Sequence, residues 1–319
     1  MKALVTGGAG FIGSHVVEDL LRKGFEVIVI DNLSSGRYEY IERYVLNGDI
    51  RFFNTDLKFF NDELLKLFKD VDVIYHLAAN PEVRVSLTEP RIHFNDNVLT
   101  TFNVLEACRL NKVKSLVFTS SSTVYGDAKV IPTPENYSPL EPISVYGASK
   151  LASENLIITY SKLYEIKSVI LRLANIVGFR QSHGVIVDFI KKLRRNPEEL
   201  EILGDGRQRK SYLHISDLIT AINTIMENLE SLKSSYEVFN VGNTDWVDVD
   251  EIASEVVSKL GLKNVKFHHI MTTPDGRGWV GDVKFMLLDV SKLCSLGWKP
   301  RLNSKEAIRV AIEEIIKYL

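Results

Sequence analysis

Cysteine is nearly absent from this 319-residue chain: Cys108 and Cys294 are the only two, too few and too far apart for a disulfide framework. That excludes a small secreted scaffold and suits a reducing cytoplasm. No apolar run approaches the roughly 20 residues that span a bilayer, so a membrane protein is not expected. The opening MKALVTGG reads as a strand entering a glycine turn, which leads us to expect no signal peptide. Charge of one sign is missing too. Lysine and arginine number 39 against 41 acidic residues, a net −2, and without a basic field nucleic acid is not expected as a partner. The basic run KKLRR (191–195) lies in the helix-periodic segment GVIVDFIKKLRR and reads as a solvated face. Neither HExxH nor CxxC occurs, and His268 and His269 have no ligand-spaced companions, so no metal is expected. Glutamine is limited to Gln181 and Gln208, a scarcity that thermophile proteins share.

What is present is a chain with 45% hydrophobic residues, longer than a single core usually grows. Short β-branched runs (KALVT, EVIVI, VDVIYHLA, KSLVFTS, KSVILRLA) alternate with helix-periodic segments. Strands that are apolar throughout suit burial on both faces, and the alternation predicts a Rossmann-type α/β fold, a doubly wound parallel sheet. After about residue 175 the rhythm breaks into loops rich in Gly, Pro and charge. We therefore expect a first domain over 1–174, with segments near 211–262 returning to it, and a smaller α/β substrate-binding lobe over 175–319.

VTGGAGFIGSH follows the first strand and opens the first helix, with Gly7, Gly10 and Gly13 in GxxGxxG spacing. Such a turn brings backbone N–H groups, here including those of Phe11 and Ile12, against a pyrophosphate at a helix N-terminus. The second strand ends in Asp31, eighteen residues after Gly13, where a carboxylate can accept from the adenosine ribose hydroxyls. In DNLSSGR the first basic residue is Arg37, so a 2′-phosphate would meet an acid. NAD is favoured over NADP.

Further on, SVYGASK follows the proline-rich TPENYSPLEP. Tyr146 and Lys150 stand one turn apart on the helix that this segment opens. An ammonium beside a phenol favours the phenolate, which would bring Tyr146 towards service as a base near neutral pH.

Taken together, GxxGxxG, Asp31, HLAA (76–79), TSSSTVYG (119–126) and Tyr-x-x-x-Lys resemble an extended short-chain dehydrogenase/reductase over nearly the whole chain. DNLSSGR, SSSTVYG, LRLANIVG, GDGRQRKSYLHISD and FNVG are most similar to UDP-glucose (UDP-galactose) 4-epimerases. The resemblance implies a cytoplasmic homodimer, paired through the helices at 91–111 and 144–164, with tightly held NAD and a UDP-sugar substrate inverted at C4 through a 4-keto intermediate. It implies Tyr146 as the base at O4, Lys150 as its charge partner and a ligand of the nicotinamide ribose, and Ser121 as the hydroxyl that shuttles or stabilises the proton. On the cofactor side it implies Asn32, Ser35 and Gly36 beside Asp31, Asp56 and Leu57 near the adenine, and Leu77, Ala78 and Ala79 along the cofactor. Asn97, placed in the same group, is expected chiefly to tie helix to strand.

For the substrate it implies Ser122 beside Ser121, Asn175 at a phosphate, Gly184, Val185 and Phe189 flanking the uracil, and Lys210, Arg277 and Asp282 around the diphosphate. The chain departs from the family at two of these places. Lys210 stands where many relatives have arginine, and Trp279 where bacterial relatives have one, with Arg277 two residues earlier. Met286 is expected to line the hexose pocket or, alternatively, to belong to the core. Ser122 and Thr123 stand where related 4,6-dehydratases carry Asp-Glu, so dehydration is not expected. Arg84 in NPEVRVS could meet a C6 carboxylate, which keeps a UDP-glucuronate epimerase or decarboxylase as the second reading. A catalytically silent NAD-binding scaffold is the third, and the complete Ser121, Tyr146 and Lys150 set speaks against it.

Overall fold

The computed structural model describes residues 1–318, which divide into two compact units. The chain runs β1 (Lys2–Thr6), α1 (Phe11–Arg22), β2 (Glu26–Asp31), α2 (Glu42–Leu46), β3 (Ile50–Asn54), α3 (Asp62–Leu67) and β4 (Val73–His76). It continues through α4 (Pro90–His93), a π-helical stretch over Phe94–Leu99, α5 (Thr100–Asn111), β5 (Ser115–Ser121), α6 (Val145–Tyr164) and β6 (Lys167–Leu173). These strands form a sheet of order β11-β6-β5-β4-β1-β2-β3, where β11 is Tyr236–Val241. The pairs β1–β2, β1–β4, β2–β3 and β4–β5 are all parallel.

The reason is legible strand by strand. Ala3, Leu4 and Val5 of β1 and Val27 to Ile30 of β2 are buried, as continuous apolar runs must be when helices cover both sheet faces. One core joins Leu4, Ile28, Ile30, Ile74, Leu116 and Phe118 of the sheet to Val104, Leu105 and Ile157 of α5 and α6.

The second unit is built from β7 (Asn175–Val177), α7 (Val185–Arg195), β8 (Glu199–Leu203), β9 (Arg209–Lys210), β10 (Tyr212–His214) and α8 (Ile215–Glu227). Beyond β11 follow β12 (Val247–Asp248), α9 (Val249–Lys259), β13 (Lys266–Ile270), β14 (Phe285–Met286), α10 (Ser291–Cys294) and α11 (Ser304–Tyr318). Its sheets are small: β10–β7 and β13–β8 are parallel pairs, and β9 lies between β12 and β14. Helix α9 opens on a reciprocal capping box between Asp248 and Glu251, which satisfies two otherwise orphaned N–H groups. Its core gathers Ile186, Phe189 and Ile190 of α7, Ile252 and Val256 of α9, and Ile308 and Ile312 of α11. The basic end of α7 is a solvated face, as its period requires, with Lys192 paired to Asp188 and Arg194 bonded to the Ile316 carbonyl.

The division differs from the sequence expectation in two places. The first unit takes 1–124, 145–172 and only 228–239 of the later chain. Helices α8 and α9, expected to return to it, stay in the second unit: Ile252 and Val256 of α9 are buried in that unit's own core, and α8 packs on β7 and β10. The proline-rich loop 125–144 also belongs to the second unit. Asn240 holds it there, accepting from Tyr125 Oη (2.7 Å) and donating to the Thr133 carbonyl (2.9 Å).

Candidate active site

The glycine turn is tight enough to exclude side chains. Gly7 has φ +70°, and a Cβ there would lie 2.8 Å from the Ala78 amide nitrogen; one on Gly13 would lie 2.0 Å from the Gly7 carbonyl oxygen. Gly10 begins α1 without any side-chain cap, leaving the helix terminus, with Phe11, Ile12 and Gly13 in its first turn, to be met by an anion. Asp31 is buried at the end of β2. Its carboxylate accepts from Ala9 N (3.0 Å) and Leu33 N (2.8 Å). Burial pushes its pKa up, and these two amides pull it back. Two backbone bonds leave lone pairs on both oxygens for ribose hydroxyls. Gly36 closes against the same carboxylate, where a Cβ would lie 3.0 Å from both Asp31 oxygens, while Ser35 is exposed. Asn32 donates to Asp56 (3.2 Å), Leu57 is buried, and its carbonyl takes Asn103 Nδ2 (2.8 Å).

Behind the turn runs a fully directed hydrogen-bond chain. Thr101 Oγ1 donates to the Asn97 carbonyl (2.6 Å), so it accepts from His76 Nε2 (2.9 Å). His76 Nδ1 is then the acceptor of the Thr6 hydroxyl (2.8 Å), whose oxygen takes the amides of Leu77 and Ala78 (3.2 Å each). Burial drives the His76 pKa down to about 3, the nearby Lys150 charge adding to it. The ring is therefore neutral with its proton on Nε2. Asn97 occupies the π-helical stretch; its Oδ1 takes Asn80 N (2.9 Å), and its Nδ2 reaches Ser149 Oγ on α6 (2.8 Å). Asn97 thus ties the loop after β4 to α6, where its sequence context predicts a tie between helix and strand.

Helix α6 presents Tyr146 and Lys150 one turn apart. The Tyr146 hydroxyl is hydrogen-bonded to Ser121, whose Oγ also accepts from Thr123. Ser122, the next residue, is buried. Lys150 is buried and donates to the Thr119 carbonyl (2.9 Å), 4.8 Å above the Phe118 ring. Here the structure corrects the sequence reading. Burial pushes the Tyr146 pKa up to about 12, opposed by the Ser121 bond, and drives Lys150 down to about 7. A low-dielectric site favours the neutral form of both groups.

Three participants went unseen in the sequence. Ser86, in the 3-10 helical turn Val83–Leu87, accepts the Tyr146 amide (3.1 Å) and so caps α6 from a segment distant in sequence. His93 sits edge-on to the Tyr146 ring, 5.6 Å between centroids. Glu154 continues the Tyr146–Lys150 stripe one turn on. Only Glu154 had a sequence signal, the i+4 spacing.

In the second unit, Asn175 donates to the Ser211 carbonyl (3.3 Å) and Gly184, at φ +97°, begins α7 with Val185. Phe189, expected beside a uracil, is instead a core residue at 3% exposure, because it lies on the apolar stripe of α7 with Ile186 and Ile190. Lys210 pairs with Asp282 (2.5 Å) below the Trp279 ring, and Met286 is its buried register partner on β14. Arg277 bonds Asp275 (2.7 Å from Nε), Asp127 (3.1 Å) and the Asp282 carbonyl (2.9 Å). Both expected phosphate cations therefore carry internal carboxylate partners.

The sequence matches the NAD-dependent epimerase/dehydratase family over residues 3–242. The chain belongs to that family. Within it, this epimerase/dehydratase is 36% identical over 313 residues to a Methanocaldococcus jannaschii protein provisionally named a UDP-glucose 4-epimerase, covering 96% of this chain and 95% of that one. A solved UDP-galactose 4-epimerase is 47% identical with TM-score 0.89, each chain covered completely. The UDP-glucuronic acid 4-epimerase of Bacillus cereus, solved with UDP-glucuronic acid and NAD, is 30% identical with TM-score 0.87, again over 100% of both chains. The epimerase/dehydratase is thus an enzyme of the UDP-sugar epimerase family. Its glycine turn, uncapped α1 terminus and Asp31 fit NAD. No described helix is long and apolar enough to cross a membrane.

Proposed function

We propose that this enzyme inverts C4 of a UDP-hexose, interconverting UDP-glucose and UDP-galactose with NAD held by the glycine turn, the α1 terminus and Asp31. When bound, NAD supplies a two-electron acceptor that is regenerated in each turnover through a 4-keto sugar. The protein's own part is proton control. Tyr146 takes the O4 proton, Ser121 holds the shared hydrogen bond, and Lys150 offsets the phenolate charge that burial opposes. Asn175, Lys210 and Arg277 are proposed to hold the diphosphate, exchanging internal carboxylates for phosphate oxygens. A cytoplasmic location suits the buried free thiol of Cys108.

The observation that carries the reading is the hydrogen-bonded Ser121–Tyr146 pair with Lys150 one turn away, in a chain whose solved neighbour at 47% identity is a UDP-galactose 4-epimerase. A hexose is preferred to a uronate because the solved UDP-galactose 4-epimerase is 47% identical to this chain and the UDP-glucuronic acid 4-epimerase 30%; Arg84, the cation considered for a C6 carboxylate, is paired with Glu82 (3.0 Å from Nε). The test is separate incubation with UDP-galactose and UDP-glucuronate, products resolved by chromatography. UDP-glucose from the first, without net NADH, is expected. Turnover of UDP-glucuronate alone would replace this reading with the uronate one, and no turnover of either would leave an NAD-binding scaffold.

A further inference from the structure

The three residues that end β5 each meet one member of a stripe on α6. Ser121 bonds Tyr146, the Thr119 carbonyl takes Lys150, and Ser120 Oγ donates to Glu154 Oε1 at 2.5 Å. Tyr146, Lys150 and Glu154 stand four residues apart and share a helix face. Glu154 is held in turn by Arg172 of β6, with Nη2 2.7 Å from Oε2 and Nε 3.1 Å from Oε1. Ser120, Glu154 and Arg172 are 3%, 1% and 4% exposed. Burying an ion pair costs several kcal/mol per ion, and apolar side chains of equal volume would hold α6 to the sheet as well or better. Adhesion alone does not account for the pair.

We propose that Glu154 is a positioning residue of the reaction, its carboxylate keeping the Lys150 ammonium charged while Arg172 sets how strongly that carboxylate is felt. This rests on the reading of Lys150 as charge partner of Tyr146. The titratable groups around Lys150 and Glu154 are Tyr146 on α6, Arg172 on β6, His76 on β4 and His93 on α4. Both histidines are pushed down by burial and are neutral at pH 7. Tyr146 is protonated at rest. The fixed charge that acts on Lys150 is therefore Glu154, itself paired to Arg172, and it raises the lysine against a burial effect that takes it to about 7.

The variants Glu154→Gln, Arg172→Gln and the double Gln/Gln separate charge from packing, since Gln keeps a hydrogen-bonding group at each position. The readouts are the alkaline limb of the kcat–pH profile on UDP-galactose with the NAD-loaded protein, and the Lys150 titration by 13Cε NMR, assigned with Lys150→Met. Removing the carboxylate should lower both by about one pH unit, and removing the guanidinium should raise both. The order expected is Arg172→Gln above wild type, wild type above the double variant, and the double variant above Glu154→Gln. If Glu154→Gln does not fold, the double variant against Arg172→Gln isolates the same carboxylate. Coincident values, or any other order, overturn the proposal. A wild type without epimerase activity overturns the functional reading alone, because the NMR titration still reports on Glu154.

Discussion

Tyr146 shows why residue identity underdetermines chemistry. Its spacing to Lys150 suggests an easily ionised phenol, yet burial sets it at about 12, so ionisation has to be coupled to what the site binds. Tyr146→Phe keeps the ring against His93 and removes only the hydroxyl proposed as proton acceptor. Turnover should fall by about 10² to 10⁴ or more, while NAD, measured after denaturation of the purified protein, stays at the wild-type amount. Near-wild-type turnover in the folded variant would remove Tyr146 from the mechanism.

At the scale of elements, α6 is aimed by contacts from outside itself. Ser86 caps its second residue, and a lost cap costs about 1 kcal/mol. Ser86→Ala should speed amide exchange at Tyr146 and lower kcat severalfold with NAD content unchanged; unchanged exchange there would show that the cap does not hold the helix.

The His76 chain makes a second prediction, on stability. The folded pKa of about 3 lies below the unfolded value of about 6.5, so below pH 6.5 the unfolded chain binds a proton that the native protein refuses. Native stability should therefore fall between pH 6.5 and 3, by roughly 1 kcal/mol per unit from this group. His76→Gln should be less stable at pH 7.5 in urea titrations and lose less on going to pH 4.5. Parallel losses in both proteins would mean that His76 titrates freely.

For the whole molecule, the expected state is a homodimer through the first unit's helices. Phe102 and Tyr164 are 41% and 44% exposed, and their rings flank Tyr160, at 6.3 and 5.0 Å between centroids, with Arg109 over Tyr164. Leu163 beside them is 65% exposed, and aromatic and arginine clusters of this kind are typical of interface centres. Sedimentation should give a dimer for the wild type and a monomer for Phe102→Glu/Leu163→Glu. A monomeric wild type, or a dimeric variant, would take this face out of the assembly.

What the sequence determined by itself were features set by neighbours along the chain: buried strands from apolar runs, a nucleotide turn from glycines that backbone approach requires, an acid at the end of β2, and a tyrosine and lysine one turn apart. The tertiary structure decided what depends on residues far apart in sequence. It assigned 125–144 to the second unit, where Asn240 bonds Tyr125 and Thr133, and only 228–239 back to the first. It made Phe189 a core residue and gave Lys210 and Arg277 carboxylate partners. It also joined Ser86 to Tyr146 and Arg172 to Glu154, and set the direction of the Tyr146 and Lys150 pKa shifts. Helical spacing can say that two groups are adjacent. How much water they keep, and so which protonation state the site favours, is fixed only when the rest of the chain closes around them.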